Sequence, residues 1–493
     1  MLFNSFEFIV FFLPISLIVY YGLNRMRMTI GANAWLLFVS LFFYSWWNIS
    51  YLPLILGSIL FNYTIGGLLT DSNHQKKEVV PKQVIFVCGV VANILFLGYF
   101  KYMDFFIANI NTLRDAPLPL LHIVLPLGIS FFTITQIAFL VDAYEGLVSE
   151  KNFLSYALFV TFFPHLLAGP ILHHKDMMPQ FENPRNKVVN YRNLTLGLFL
   201  FSIGLFKKVV IADNLAPLVD TGFGNAAHLT FLESWVACFS YALQLYYDFS
   251  GYSDMAIGVG WMFNISLPVN FNSPYMAVSV IDFWKRWHMT LTSFIMTYVY
   301  TPILRGLGSI TFRNSMIAVF LAMVISGFWH GAGWTFMLWG TLHAVALVVN
   351  HSWKRQKIRM PPALARTVTF IFVAWSLVVF RAKNLTEAFT VSRAMVGMNG
   401  FILPGWLEGK LTFLPDAGVR FGRVFVNIDG KGELILFVAM MIIVMTVRNS
   451  LVWVDRRTFR LNRATLSIVV FLICINLLFL NSIQSKEFLY FDF

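Results

Sequence analysis

The sequence is poor in charge. Asp, Glu, Lys and Arg make up only 12% of its 493 residues, about half the share of a soluble domain. Apolar residues make up 58%, and mean hydropathy is +0.69. Long apolar runs with so little charge exclude a soluble globular chain and point to a membrane protein. Cysteine is scarce too. Cys88, Cys238 and Cys474 all sit in apolar runs and no CxxC occurs, so neither a disulfide framework nor a thiolate metal site is expected. A Walker A loop, an HExxH and a GxSxG are missing, which removes three common enzyme classes. A cleavable leader is not expected either. The opening "MLFNSFEFIVFFLPISLIVYYGLN" has no basic n-region, carries Glu7 and lacks a small-x-small site. It reads as a retained first span.

What is present is aromatic bulk and excess positive charge. Aromatics reach 17%, with 52 Phe, and the formal net charge is +12. In an apolar chain that excess reads as the positive-inside signature rather than as nucleic-acid binding. A spanning helix needs about 20 mostly apolar residues. Candidates fall near 6–23, 33–49, 51–69, 84–103, 119–141, 153–171, 194–212, 231–247, 310–330, 333–350, 364–381, 434–447 and 464–481. The region 251–309 is amphipathic. The stretch 384–430 is the one long polar interlude and opens with a helix-like "LTEAFTVSRAMVGM". "RMR" at 25–27, "KRQKIR" at 354–359 and "RNSLVWVDRRTFRLNR" at 448–463 are basic, so those three loops are expected in the cytoplasm and both termini outside. An outside start and an inside loop at 354 require an odd number of crossings before it. Ten candidates precede it, so one should not cross. The segment 310–330 is the natural one to drop, because "SGFWHGAG" ends it with glycines. His330 is then expected at the tip of a dipping segment that faces an internal cavity, where irregular backbone is tolerated.

Three polar islands interrupt the apolar sequence. The first is "SGFWHGAGW", with His330 beside Trp329. An ionisable residue at membrane depth is costly and marks function by default, and histidine moves protons near neutral pH. The second is "DFWKRWHMTLTSF". On one continuous helix Trp284, His288 and Leu291 share a face, and Asp282 can pair with Arg286. His288 is the second candidate for the reaction channel. The third is "YYDFSGYSD", where Asp248 and Asp254 straddle Gly251, expected to break the helix. These carboxylates are expected to orient a histidine or to pair with Lys285, Arg286 or Arg305. "HHKD" at 173–176 reads as a polar loop, because adjacent histidines do not share a helix face and no matching ligand set accompanies them. His343 reads as a satisfied structural histidine. No metal site is expected.

Five stretches carry a family resemblance: "FFPHLLAGPILHHKDMMPQF", "YYDFSGYSDMAIGVGWMFNISLPVNFNSPY", "DFWKRWHMTLTSF", "SGFWHGAGWTFMLWGTLHA" and "VVFRAKNLTEAF". In this order, the sequence resembles the membrane-bound O-acyltransferase superfamily. It is most similar to the bacterial branch of alginate O-acetyltransferase membrane subunits and teichoic-acid D-alanyl transfer proteins. The resemblance implies one all-α polytopic membrane domain over 1–493, with about 11–12 transmembrane helices plus re-entrant and amphipathic helices around a central tunnel. Within it, 384–430 is an extracytoplasmic loop and 464–493 a C-terminal helix and tail. His330 matches the family's catalytic histidine and His288 its second histidine, with Trp329, Trp284, Asp248 and Asp254 in support. The ending "SKEFLYFDF" resembles a terminal motif of this branch, which assigns an acyl-relay role to Tyr490. One departure stands out. After "MTLTSF" this branch often carries Trp-Leu-Arg-Asp, whereas this chain reads "IMTYVY", which leaves donor or acceptor choice open.

The implied activity is transfer of an acyl group, foremost acetyl, from a cytoplasmic thioester such as acetyl-CoA to an extracytoplasmic polysaccharide. A periplasmic partner resembling an SGNH-type Ser hydrolase is implied, together with residence in the bacterial inner membrane and no permanent cofactor. D-alanyl transfer from a carrier protein is the enzymatic alternative. A polytopic transporter is the alternative of another class, for which inverted repeats are expected and none is evident.

Overall fold

The structure is a computed structural model. It describes all residues except 72–79, 149–151, 412–413, 415–417, 431, 455–458, 460–461, 483–486 and 490–493. Among the described residues it is all-α apart from one two-stranded parallel ribbon, Phe401–Pro404 with Val419–Gly422. Among the described residues seven helices are long and apolar enough to cross a membrane: Glu7–Arg25, Ile49–Thr70, Lys82–Asn111, Tyr191–Gly224, Phe312–His330, Pro362–Arg381 and Arg463–Leu480. Thr29–Ser45, Ile129–Tyr144 and Glu433–Thr446 are shorter apolar helices.

The chain forms two compact units. The first comprises Met1–Phe206, Gly251–Asn270 and Ser450–Phe493; the second comprises Lys207–Ser250 and Phe271–Asn449. In the first unit, aromatic packing fills the core. Phe3 stacks on Tyr252 with ring centroids 5.0 Å apart, and Phe163 meets Phe12 edge-on at 5.2 Å.

Gly251 does not break a helix. Phe231–Met262 runs continuously through it. Glycine at this position serves packing instead: a Cβ on Gly204 would lie 2.5 Å from the Gly251 carbonyl oxygen, and one on Gly197 would lie 2.4 Å from that of Gly258. Seven residues separate the two pairs along each helix, so the two backbones touch at both levels. Membrane helices use small residues in this way, because lipid supplies no hydrophobic drive for their association.

The candidate 153–171 is also not one helix. It divides into Phe153–Thr161, capped by Asn152, and a single turn Phe163–Leu166. Phe162 between them is non-helical, and Pro164 has no N–H to give the Val160 carbonyl, so the first helix cannot run on through it. Nine residues rise only about 14 Å, too short to cross. The candidate 119–141 is helical only from Ile129, after a run containing Pro117, Pro119 and Pro126.

In the second unit the segment 310–330 corrects another expectation. Thr311 caps a helix that continues unbroken from Phe312 to His330. Its 19 residues rise about 28 Å, enough to cross. The glycines fall after the helix, not inside it. The Phe312–His330 helix turns at Gly331-Ala332-Gly333 into Trp334–Arg355, and the two form a hairpin. They meet backbone to backbone: a Cβ on Gly327 would lie 2.5 Å from the Phe336 carbonyl oxygen, and one on Gly340 would lie 2.7 Å from that of Met323. The polar stretch 384–430 opens, as expected, with a helix, Leu385–Met395, capped by Asn384. Buried Glu233 anchors the rest, accepting from the Asn427 backbone N–H at 2.8 Å and its side-chain amide at 3.0 Å.

Candidate active site

His330 is the last residue of its helix and is 5% exposed. Three aromatic rings box it. Trp329 lies 5.1 Å away, Trp339 5.2 Å and Phe380 5.5 Å, all in edge-type contact. The wall on one side continues beyond Trp339, which contacts Trp284 at 5.8 Å and His343 at 4.9 Å. Gly331 is required at the turn, since a Cβ there would lie 2.1 Å from the Phe336 ring. The hairpin therefore fixes the height of His330, and the aromatic box fixes its orientation.

His343 is a structural histidine, and its tautomer can be derived. The indole Nε1–H of Trp284 donates to His343 Nδ1 at 3.2 Å. His343 Nε2 lies 2.9 Å from Ser376 Oγ, whose own hydroxyl donates to the Val373 carbonyl at 2.7 Å. Ser376 must therefore accept from Nε2–H. Both ring nitrogens are satisfied in the neutral form. Its bonds hold Trp284 in the wall of the His330 site.

His288 does not share a helix face with Trp284 and Leu291. The helix Val280–Trp284 stops, His288 takes left-handed backbone angles (φ 44°, ψ 53°), and a new helix Met289–Ile295 begins. Left-handed backbone in a non-glycine residue costs roughly 1–3 kcal/mol and collects at functional sites. The ring is buried, with its edge against Phe249 at 4.8 Å. Asp282 and Arg286 pair as expected, at 2.8 Å.

The two carboxylates have partners other than those expected. Asp248 pairs with Lys208 at 2.7 Å, and Lys208 also reaches Asp213 at 2.9 Å. The counter-ion of Asp248 thus comes from a π-helical turn, Lys207–Ala212, rather than from Lys285, Arg286 or Arg305. Such turns are frequent at functional sites. Asp254 belongs to the first unit, where it accepts from the Ser450 hydroxyl at 2.6 Å. Sequence reading passed over Lys208, although "FKKVV" inside an apolar run is the signal that a buried charge needs a partner.

"HHKD" is not a polar loop. His174 starts the helix His174–Glu182, is buried, and its Nδ1 lies 3.0 Å from Asp142. No metal-binding cluster occurs among the described residues. Tyr490 lies outside the described residues. Phe488, two residues before it, is 1% exposed and meets Tyr252 edge-on at 4.7 Å.

A cavity of about 470 Å³ lies in the second unit. It runs from Lys285 and His351 past Trp284, Leu291 and Met323 to Ser326, one helical turn before His330.

The family model of the membrane-bound O-acyltransferases, MBOAT, matches residues 46–387. The chain belongs to this family. It is an acyltransferase by that membership, and its apolar helices make it a multi-pass membrane protein. Relatives include a peptidoglycan O-acetyltransferase of Helicobacter pylori, 47% identical over 82% of this chain and 81% of that one. A Pseudomonas aeruginosa protein named probable alginate O-acetylase is 37% identical over 84% and 78%. A teichoic acid D-alanyltransferase of Bacillus subtilis is 27% identical over 52% and 69%. Membership in this family of acyltransferases replaces the transporter alternative.

Proposed function

We propose that this MBOAT protein transfers an acetyl group from a cytoplasmic thioester, acetyl-CoA, toward O-acetylation of an extracytoplasmic polysaccharide. The cavity that ends one turn from His330 carries this reading. At its Lys285 and His351 end, His351 lies three residues before the basic "KRQKIR" loop, and its walls are mostly apolar. That combination suits a donor with an anionic phosphate head and a slender acyl arm, entering from the cytoplasmic side of an inner membrane with both termini outside. The relatives described as peptidoglycan and alginate O-acetylating proteins support acetyl over D-alanyl.

The chemistry follows from one buried imidazole. His330 takes the proton of the attacking hydroxyl as that oxygen bonds to the thioester carbonyl carbon. The carbon–sulfur bond then breaks, and the proton passes to the departing thiolate. General-base assistance of this kind contributes roughly 10²–10⁴-fold. His288, held in a strained turn, lines the path, and Trp329 and Trp284 exclude water.

The first acceptor in this reading is Tyr490. A phenol has a pKa near 10, well below an aliphatic alcohol, so its acetyl ester keeps a good leaving group. A serine ester at the same place would hold the acetyl group. An apolar ring with one polar tip also suits an interface. The next acceptor is a periplasmic Ser-hydrolase-like partner. The test is mass spectrometry of the purified protein after incubation with acetyl-CoA. One acetyl group should appear on Tyr490, and none in Tyr490→Phe or His330→Ala. An unmodified tyrosine in protein that is turning over thioester would remove the relay.

A further inference from the structure

The first unit carries a cavity unrelated to the histidines. It measures about 610 Å³ and is lined by Arg27, Asn33, Glu182 and Lys187 among others. Lys187 is 9% exposed. Its ammonium donates to the Asn33 side-chain oxygen and lies 5.8 Å from the centre of the Tyr20 ring. Neither partner is an anion. Burial pushes Lys187 down to about 8, against a weaker pull from Glu182. A buried cation without a close counter-ion is costly. Arg27 adds a second positive charge at the rim. The helix Thr29–Ser45 begins at the same cavity, and its first turn has no side-chain cap. Two cations and one carboxylate leave a single positive charge to be matched.

An apolar groove begins at Tyr21 of the preceding helix, Leu13–Arg25, three residues before Asn24 of this cavity. It measures about 540 Å³ and is lined by Leu13, Leu17 and Tyr21 on one side and by Leu198 and Ile473 on the other. From Ile9 to Tyr21 it extends about 18 Å, close to half the roughly 30 Å hydrocarbon depth of a bilayer. Tyr21 lines the end nearest the charges, its hydroxyl donating to the Met262 carbonyl at 2.7 Å.

We propose that the first unit binds one phospholipid, with its phosphodiester against Arg27 and Lys187 and an acyl chain along the groove from Tyr21 to Ile9. The single negative charge of phosphatidylglycerol completes the cavity. Neither the cavity nor the groove belongs to the proposed acetyl-transfer site, so this site stands or falls independently of that reading. The test uses the full chain, delipidated in neutral detergent, titrated with dioleoylphosphatidylglycerol and separately with inorganic phosphate. The lipid should bind and raise the melting temperature. Arg27→Gln and Lys187→Met should each weaken it about tenfold or more, the loss expected for one charged hydrogen bond to phosphate. Leu17→Trp, which fills the groove and leaves both cations in place, should weaken the lipid equally. Arg27 is exposed, so its variant reports on binding even if Lys187→Met folds poorly. Equal stabilisation by inorganic phosphate would overturn the lipid in favour of a free anion. Unchanged lipid affinity in Arg27→Gln would overturn the site.

Discussion

Replacing Lys208 by methionine keeps the length of the side chain and removes its charge. Lys208 is 1% exposed and holds Asp248 at 2.7 Å and Asp213 at 2.9 Å, themselves 1% and 6% exposed. The variant would leave two buried carboxylates facing a site that has lost its cation. Removing one partner of a buried pair costs about 3–5 kcal/mol, and here two anions are stranded, which favours the upper end. At roughly 2–4 °C per kcal/mol for a unit of this size class, the melting temperature should fall by roughly 6–20 °C. Neutralising the stranded groups should restore much of it. Lys208→Met with Asp213→Asn and Asp248→Asn should therefore melt higher than Lys208→Met alone, a coupling that a mutant cycle isolates. Acyl transfer should fall further than folding explains, because Asp248 precedes Phe249, which packs on His288. The assay is a thermal melt in detergent beside acetyl release from acetyl-CoA. If Lys208→Met melts with the wild type, the buried charge triad is not what holds this part of the second unit.

Other changes test separate links. Gly340→Ala would place a Cβ 2.7 Å from the Met323 carbonyl and should cost about 1–3 kcal/mol by overpacking. It should also depress transfer by shifting His330, whereas Gly306→Ala, where a Cβ meets nothing, should do neither. Trp284→Phe removes the donor to His343 Nδ1 and should cost about 1–3 kcal/mol for the orphaned nitrogen, read as a lower melting temperature. Tyr490→Phe should abolish polymer acetylation in cells and leave the melt unchanged; retained acetylation would place the first acceptor elsewhere.

The sequence made the membrane class, the polar islands and the family legible, because low charge, apolar runs and five co-linear motifs are local signals. The helix at 385–395 was legible for the same reason: Asn384 and Glu387 mark its start. What was hidden depended on distant partners. Gly251 looks like a helix breaker until Gly204 is seen against it. Asp248 looks free until Lys208 arrives from a helix 40 residues earlier in the chain. His288 looks like a helix-face residue, since only the folded backbone shows its left-handed turn. His174 looks solvated until Asp142 appears 3.0 Å away. His330 was found from its own sequence, yet the aromatic box that defines its chemistry draws Trp339 and Phe380 from two later helices.

Acyl transfer in this reading depends on proton transfer by the His330 imidazole, and single-turnover release of CoA from acetyl-CoA by purified protein measures it directly. His330→Gln, which keeps most of the volume inside the aromatic box, should lower that rate by roughly 10²–10⁴-fold and change the melt far less than the rate. A variant that folds normally and releases CoA at the wild-type rate would contradict it.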